Sequence, residues 1–383
     1  MMAEAYRADQ VGSLLRPSEV LQARTAVAEG RMTEEQLRTV EDAAILAAFE
    51  LQKQVGLDIY SDGEYRRGSW AGDFADSVEG YVPGPPPLVM QWRGTDRPPP
   101  APQTRGGLVI GEKLRQRHRL TGVETSFLKA HAPGPYKVTL PAASYMVARG
   151  YKPGITDRVY PTRNDLLEDV VAIIKAEIRA LVAAGVSYVQ LDNPHYPDYV
   201  DDEKCEQWRA SGIDPVQALR EDIAADNACL AGFDRAGVTL AMHLCRGNGR
   251  SAWHTSGGYD RIAEQVFGGI EVDRWLLEYD TDRSGGFEPL RFMPRDRQVV
   301  LGLITTKEGS LESETEVLRR IDEASKYISA ENLALSPQCG FASVAEGNLL
   351  SWDDQRRKLE LVVAAARKAW GQMIGTRHRR EKG

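Results

Sequence analysis

Apolar residues in the second half of the chain keep a repeating order: a helix-spaced run, a glycine, a short β-branched run and a polar cluster. Between Asp165 and Ala184, Leu167, Val170, Val171, Ile174, Ile178 and Leu181 fall on one helical face, and Gly185 ends it. Val186 to Leu191 follows as a strand that runs into Asp192-Asn193-Pro194. The unit returns as a helix from Glu221 to Arg235 before a strand from Val238 to His243. It returns again as a helix from Asp260 to Val266 before Trp275 to Glu278. Val299 to Ile304, a helix from Glu312 to Ile328 and a strand from Leu333 to Ser336 complete the series. Near-continuous apolar strands alternating with helices predict a parallel sheet covered on its faces. The first half adds strands at Ala8 to Gly12, Leu57 to Tyr60 and Tyr136 to Leu140, with an amphipathic helix from Glu34 to Gln54 before the second. Three strands and five make eight. The expected fold class is therefore α/β, a (β/α)8 TIM barrel formed as one domain over residues 1–383, with functional residues at strand C-termini. An open doubly wound sheet is the alternative, but no G-x-G-x-x-G follows a strand.

One stretch breaks the rhythm. Between Tyr81 and Gly107 lie eight of the twenty prolines, at positions 83, 85, 86, 87, 98, 99, 100 and 102, a density that excludes a central strand or helix. This proline-rich loop insertion over 81–107, between the second and third strands, reads either as a stiff surface spacer or as a lid or subunit contact. Trp70, Phe74, Tyr81 and Trp92 around it favour function, since a loop without a partner has little use for them.

Composition narrows the class. A chain of 383 residues with 42% hydrophobic and 27% charged residues is an ordinary globular one. With 48 basic against 55 acidic residues the net charge is −7, and the only basic run, Arg377-His378-Arg379-Arg380, reads as a solvated tail, so no nucleic-acid partner is expected. The first residues lack a secretory pattern and nowhere do eighteen apolar residues run together, so a cytoplasmic protein without membrane contact is expected. Four cysteines (Cys205, Cys229, Cys245, Cys339) are too few and scattered for a disulfide scaffold; such thiols are buried, catalytic or metal-bound.

Two of them sit where chemistry is expected. His243-Leu244-Cys245 leaves a strand, and residues two apart on an extended backbone face the same way, so imidazole and thiol can reach one ion. Glu278 ends the next strand and Cys339 follows the last, and a closed barrel brings all four to one rim. Imidazole, two thiolates and a carboxylate form a donor set for tetrahedral zinc. The bland alternative is that either cysteine is a core thiol. Cys205 reads as a structural thiol at an exposed helix start, Cys229 as a structural thiol within a helix, and His254 as a loop residue.

The strings Val11-Gly12-Ser13, Asp62-Gly63-Glu64, Leu191-Asp192-Asn193-Pro194, His243-Leu244-Cys245-Arg246-Gly247-Asn248, Leu277-Glu278-Tyr279-Asp280 and Ser336-Pro337-Gln338-Cys339-Gly340-Phe341 span most of the chain. In that order they resemble the C-terminal catalytic barrel of cobalamin-independent methionine synthase, and the chain is most similar to short single-barrel relatives of the methionine synthase II type. The resemblance implies Zn2+ on His243, Cys245, Glu278 and Cys339, activating a small-molecule thiol for transfer of a methyl group to homocysteine or a related sulfur. It implies that Glu64 and Asp192 hold the substrate ammonium and Ser13 its carboxylate. Arg246 is a candidate for an anionic substrate group and Lys307 for a catalytic acid or anion clamp. For each an ordinary structural role is the alternative: a surface ion pair for Glu64 beside Arg66 and Arg67, a turn or helix cap for Asp192, a cap for Ser13, an ion pair for Arg246 and a surface lysine at 307.

Two departures bear on the alkyl donor. Ala143 stands where the family places a tryptophan against the folate pterin, and Thr305-Thr306-Lys307 replaces the family's histidine. An epoxide-opening thiol transferase of the coenzyme M type and a non-catalytic zinc barrel acting as a binding protein are the competing readings. A homo-oligomer is left open.

Overall fold

The structure, a computed structural model, describes residues 6–87, 90–95 and 107–380. Its centre is a six-stranded, all-parallel sheet in sequential order: β3 (Val138–Pro141), β4 (Tyr188–Asp192), β5 (Thr239–Leu244), β6 (Arg274–Glu278), β7 (Gln298–Ile304) and β8 (Leu333–Pro337). Every residue of β3, β4, β5, β6 and β8 is buried, as expected of strands with helices on their outer face. β3 is preceded by an antiparallel pair, β1 (Val78–Pro83) with β2 (Leu108–Gln116).

The first two expected strands are single bridges in the structure. Ala8 pairs with Leu335 of β8 and Tyr60 pairs with Tyr136 just before β3. The two segments also meet, through the Asp58 amide donating to the Ala8 carbonyl at 3.0 Å. Side chains take the ladder bonds that a longer strand would make. Asp58 Oδ2 accepts from the amides of Arg7 (2.7 Å) and Ala8 (2.9 Å), and Gln52 Oε1 accepts from Ser61 N at 2.9 Å. Tyr6, Val11, Ile59, Tyr188, Ala241, Leu276, Val300 and Ala334 form a small core of their own, apart from the large one beneath the helices. Both early segments and five of the six parallel strands contribute to it.

The helices form where the apolar spacing places them, with ends set by local chemistry. Thr33 and Gln36 form a capping box at the start of Glu34–Val55, and Gly56 ends it in the left-handed conformation (φ 85°). Thr162 and Asp165 do the same for Arg163–Ala183. The helix expected from Glu221 starts earlier, as Pro215–Leu230, because Asp214 caps it and Pro215 suits a first turn. Those expected from Asp260 and Glu312 are Ala263–Gly269 and Glu314–Ala324. Arg377 to Arg380, expected as a tail, end the helix Trp352–Arg380. No helix among the described residues is long and apolar enough to cross a membrane.

The proline-rich excursion leaves from β1 and returns into β2. Tyr81, Val82 and Pro83 belong to β1, a ribbon strand outside the central sheet, where a terminal proline is tolerated. Pro98 to Pro102 lie outside the described residues. Phe74 is fully buried, and Trp70 packs on Tyr145 with ring centroids 4.6 Å apart. Within the described stretch 90–95, Arg93 exchanges backbone hydrogen bonds with Trp253 (2.8 and 3.0 Å), and Trp92 sits edge-on to His254 at 5.0 Å. Trp92 and Arg93 thus contact the loop after β5.

Candidate metal and substrate site

His243 lies in β5, Cys245 directly follows it, and Cys339 lies two residues past β8. Three strand spacings separate β5 from β8 in sheet order, about 14 Å in a flat sheet. Yet ligand atoms of His243, Cys245 and Cys339 all lie within 4.8 Å of one another, and all three residues are buried. Curvature of the sheet brings them together.

Among the described residues neither ring nitrogen of His243 meets a partner in good hydrogen-bond geometry, although Cys339 lies close enough to bear on the ring; this is a costly state for buried polar atoms unless another ligand serves them. The two thiols behave as a coupled pair. The close approach of Cys245 and His243 holds Cys339 well below the usual thiol range against burial, while the approach of Cys339 and burial push Cys245 well above it. A tetrahedral zinc with bonds of about 2.0 Å to nitrogen and 2.3 Å to sulfur spaces its donors about 3.5–3.8 Å apart. The cluster's spacing and its donor types fit such an ion.

Glu278, expected as the fourth ligand, is not part of this cluster. Its Oε2 accepts from the Arg246 amide at 2.6 Å and its Oε1 pairs with Arg283, so both oxygens are engaged elsewhere. Burial disfavours its charge, but Lys307, Arg283 and Arg246 pull it down to about 2, leaving an ionised carboxylate beside the cluster.

The expected substrate residues lie around the cluster: His243 and Glu64 both bear on Asp192, and Ser13 contacts the segment after Cys339. Glu64 sits in the Asp62-Gly63-Glu64 turn with a left-handed backbone (φ 58°), a conformation that costs a non-glycine residue about 1–2 kcal/mol. Asp62 supports it by accepting the Glu64 amide at 2.9 Å. Glu64 Oε1 accepts from Thr139 Oγ1 at 3.0 Å, while Oε2 is buried without a partner. Gly12 is held open by this carboxylate, since a Cβ there would lie 2.6 Å from Oε1. The neighbouring arginines point elsewhere: Arg66 pairs with Asp42 and Glu41, and Arg67 with Glu124 at 2.7 Å. Asp192 ends β4, is held by Gln190 Nε2 at 2.8 Å, and burial pushes it up to about 7 with His243 opposing. Burial likewise raises Glu64 against Arg67 and Arg16. Ser13 packs against the Cys339 loop, where its carbonyl accepts from Phe341 N at 2.8 Å and its Oγ from Ala342 N at 3.3 Å.

Arg246 is buried and its guanidinium is consumed within the protein. It donates to the carbonyls of Gly257 (2.9 Å), Glu278 (3.1 Å) and Ser284 (3.2 Å) and to Tyr259 Oη (3.1 Å), and lies over the Tyr259 ring. Four of the five N–H donors are thereby engaged within the protein. Lys307 Nζ donates to the Gly247 carbonyl at 3.1 Å, two residues from Cys245. Ala143 is fully buried and offers no ring surface to the rim.

Sequence reasoning missed the support around these groups. Arg16 ties the first segment to the last loop by donating to the carbonyls of Ala342 (2.9 Å), Val344 (3.0 Å) and Glu64 (3.1 Å). His254, expected as a plain loop residue, is buried against Lys204 and Thr255. Cys205, expected at an exposed helix start, is buried, with its thiol on the Tyr199 carbonyl at 3.6 Å. Tyr145 feels both Asp198 and Cys245 and also lines a cleft of about 680 Å³ under the β1–β2 ribbon, with Tyr81, Met146 and Arg149.

The sequence model for the family described as cobalamin-independent synthase, catalytic domain, matches residues 7–368. The Bacillus subtilis protein YxjH is 40% identical over 368 residues, covering 95% of each chain. Among solved structures, one from Listeria monocytogenes, described as a candidate vitamin-B12-independent methionine synthase, superposes with a TM-score of 0.72 at 29% identity, covering 97% of this chain and 99% of that one. A B12-independent methionine synthase from Shewanella sp. W3-18-1, in complex with selenomethionine, shares the fold with a TM-score of 0.71 at 20% identity over 97% and 99% of the two chains.

Proposed function

Because the chain belongs to the cobalamin-independent methionine synthase catalytic-domain family, we propose that it is a zinc-dependent methyltransferase that alkylates the sulfur of homocysteine or a related thiol. The observation that carries this reading is the buried convergence of His243, Cys245 and Cys339 within 4.8 Å, with neither imidazole nitrogen in a well-formed hydrogen bond to a described residue. We infer further that the parallel sheet closes with the Ala8 and Tyr60 segments as a (β/α)8 barrel, which places all these groups at its C-terminal rim.

His243, Cys245 and Cys339 would hold the ion, with Glu278 available as a fourth ligand once released from Arg283. Bound zinc would supply a Lewis acid that keeps a substrate thiol ionised at neutral pH. The remaining work falls to the protein. Glu64 Oε2, buried and unpartnered, and Asp192 offer carboxylates to an ammonium, whose arrival would offset the burial that raises both. The Ser13 hydroxyl proton is committed to no described residue and is free for a substrate carboxylate. Tyr145, which lines the cleft under the β1–β2 ribbon, also bears on Cys245, and that cleft is the proposed seat of the alkyl donor. Buried Ala143 gives that donor no stacking partner, so the donor is to be found by trial across methyl-folate, methyl-corrinoid and epoxide compounds with product mass as the readout.

Substituting Glu64→Gln or Asp192→Asn is expected to raise KM for an amino-acid thiol about 10²-fold by leaving the ammonium without its counter-charge. Zinc content should stay unchanged, and KM for a thiol lacking the amine should not move. Equal KM changes for both thiols would remove the ammonium assignment.

A further inference from the structure

Behind the rim lies a buried polar cluster that the reading above does not use. Asp198 accepts from Thr255 Oγ1 at 2.9 Å and from Arg149 at 3.0 Å, pairs with Lys204, and faces His195 Nδ1 at 3.3 Å. His195 Nε2 in turn faces Asp222 at 3.2 Å. Lys204 Nζ has three donors and three neighbours for them: Asp198 Oδ1, Thr255 Oγ1 and, at 2.9 Å, His254 Nδ1. An ammonium has no lone pair, so His254 Nδ1 must accept, and the imidazole proton resides on Nε2. The Thr255 hydroxyl, 2.9 Å from the same Nδ1, spends its own proton on Asp198.

His254 is fixed next to the metal ligands by its backbone. Its amide donates to the Arg246 carbonyl at 2.9 Å, and the Arg246 amide donates to Glu278. The Nε2 edge of the ring is pressed on Gly247, where a Cβ would lie 2.3 Å from Cδ2 and 2.8 Å from Nε2, at a left-handed φ of 94°. Nε2 itself has no hydrogen-bond partner among the described residues. The carbonyl of the same Gly247 receives Lys307 Nζ. Burial, with Lys204, Arg149 and Lys307 opposed by Asp198, holds His254 well below the usual imidazole range, so the ring stays neutral.

We infer that His254 Nε2–H and Lys307 Nζ form a two-donor clamp for an anionic group of the alkyl donor, held over Gly247 two residues from Cys245. The inference rests on the proposed thiol alkylation and assigns the chemistry of its second substrate: a donor that carries negative charge, as a carboxylate or phosphate, next to the carbon it gives up. Lys204 is a positioning residue, since it acts by fixing the tautomer of His254.

Inorganic phosphate serves as the probe. With only six histidines in the chain, long-range proton–nitrogen spectra of 15N-histidine-labelled protein resolve each ring, and His254→Gln identifies the signal. The expected result is an Nε2–H tautomer and a saturable shift on adding phosphate, with a Kd on the order of 1 mM. By calorimetry, Lys307→Met is expected to weaken phosphate about tenfold, His254→Leu to abolish its binding and His254→Gln, which keeps an N–H at that place, to retain it. Cys339→Ser is expected to bind phosphate normally while losing zinc. An Nδ1–H tautomer, or phosphate binding that ignores both substitutions, would overturn the clamp. Absence of zinc from the wild-type protein would instead remove the metal reading and leave the phosphate result standing.

Discussion

Cys339→Ser and Cys245→Ser proteins should fold, retain no stoichiometric zinc and lose thiol alkylation by about 10³-fold or more, the scale set by a Lewis acid worth several kcal/mol. The fold should survive because both side chains lie at the strand ends and beyond the large core: neither is a member of that cluster. Serine fills nearly the same volume, and its hydroxyl can serve Ser343, whose Oγ lies 3.8 Å from the Cys339 sulfur. What serine cannot supply is a thiolate, because a hydroxyl is not ionised by a neighbour that is itself a thiol. Cys205→Ser is the control, since that thiol bonds only to the Tyr199 carbonyl far along the chain from the cluster. Circular dichroism, metal content by mass spectrometry and product mass read the three quantities separately. One equivalent of zinc retained by both rim variants would dismiss the site, and zinc loss with undiminished alkylation would make the ion structural.

The sheet and its helices were legible because their cause is periodic. Leu167 through Leu181 must cover one face, and Tyr188 to Asp192 must be buried on both, so spacing alone locates them. The two early strands were legible as extended apolar segments, but their shortness was not. It follows from Asp58 and Gln52, side chains 50 and 9 residues from the amides they satisfy, and no local pattern reports a partner at that distance. The same limit applies at the rim. His243-x-Cys245 announces itself through the two-residue alternation of a strand. Glu278 matched in type and place, yet its pairing with Arg283 depends on how the loop after β6 folds back. Arg246 looked like an anion contact because it follows Cys245; only Gly257 and Tyr259 after β5, with Glu278 and Ser284 at and after the end of β6, show where its donors go. His254 carried no spacing signal at all. Its significance arises from Lys204 and Asp198, which belong to a different loop and helix.

At the opposite end of the strands from His243, Cys245 and Cys339, removal of Asp9 should be the most destabilising single change at a polar position. Asp9 and Lys137 are each 0% exposed and 2.8 Å apart, and Arg274 adds a second cation at 3.2 Å. Tyr188 Oη donates to the same carboxylate at 3.0 Å, and Lys137 is further held by Gln190 Oε1 at 2.9 Å. Asp9→Asn leaves two buried cations without a counter-charge, which typically costs about 3–5 kcal/mol. The urea midpoint should fall accordingly, and adding Lys137→Met to Asp9→Asn should cost less than Lys137→Met alone, because the pair is lost already. The pH dependence has a definite sign. Burial disfavours the Asp9 charge, but Lys137 and Arg274 together hold its pKa below the ordinary value. A carboxyl depressed on folding stabilises the protein above its unfolded pKa, and that stabilisation is lost as pH falls through the folded value. Wild type should therefore lose stability below about pH 4 more steeply than Asp9→Asn, which has no carboxyl to protonate. Parallel acid limbs for the two proteins, or a midpoint unmoved by Asp9→Asn, would mean that Lys137 and Arg274 find other partners and that the ion cluster does not hold the interior together.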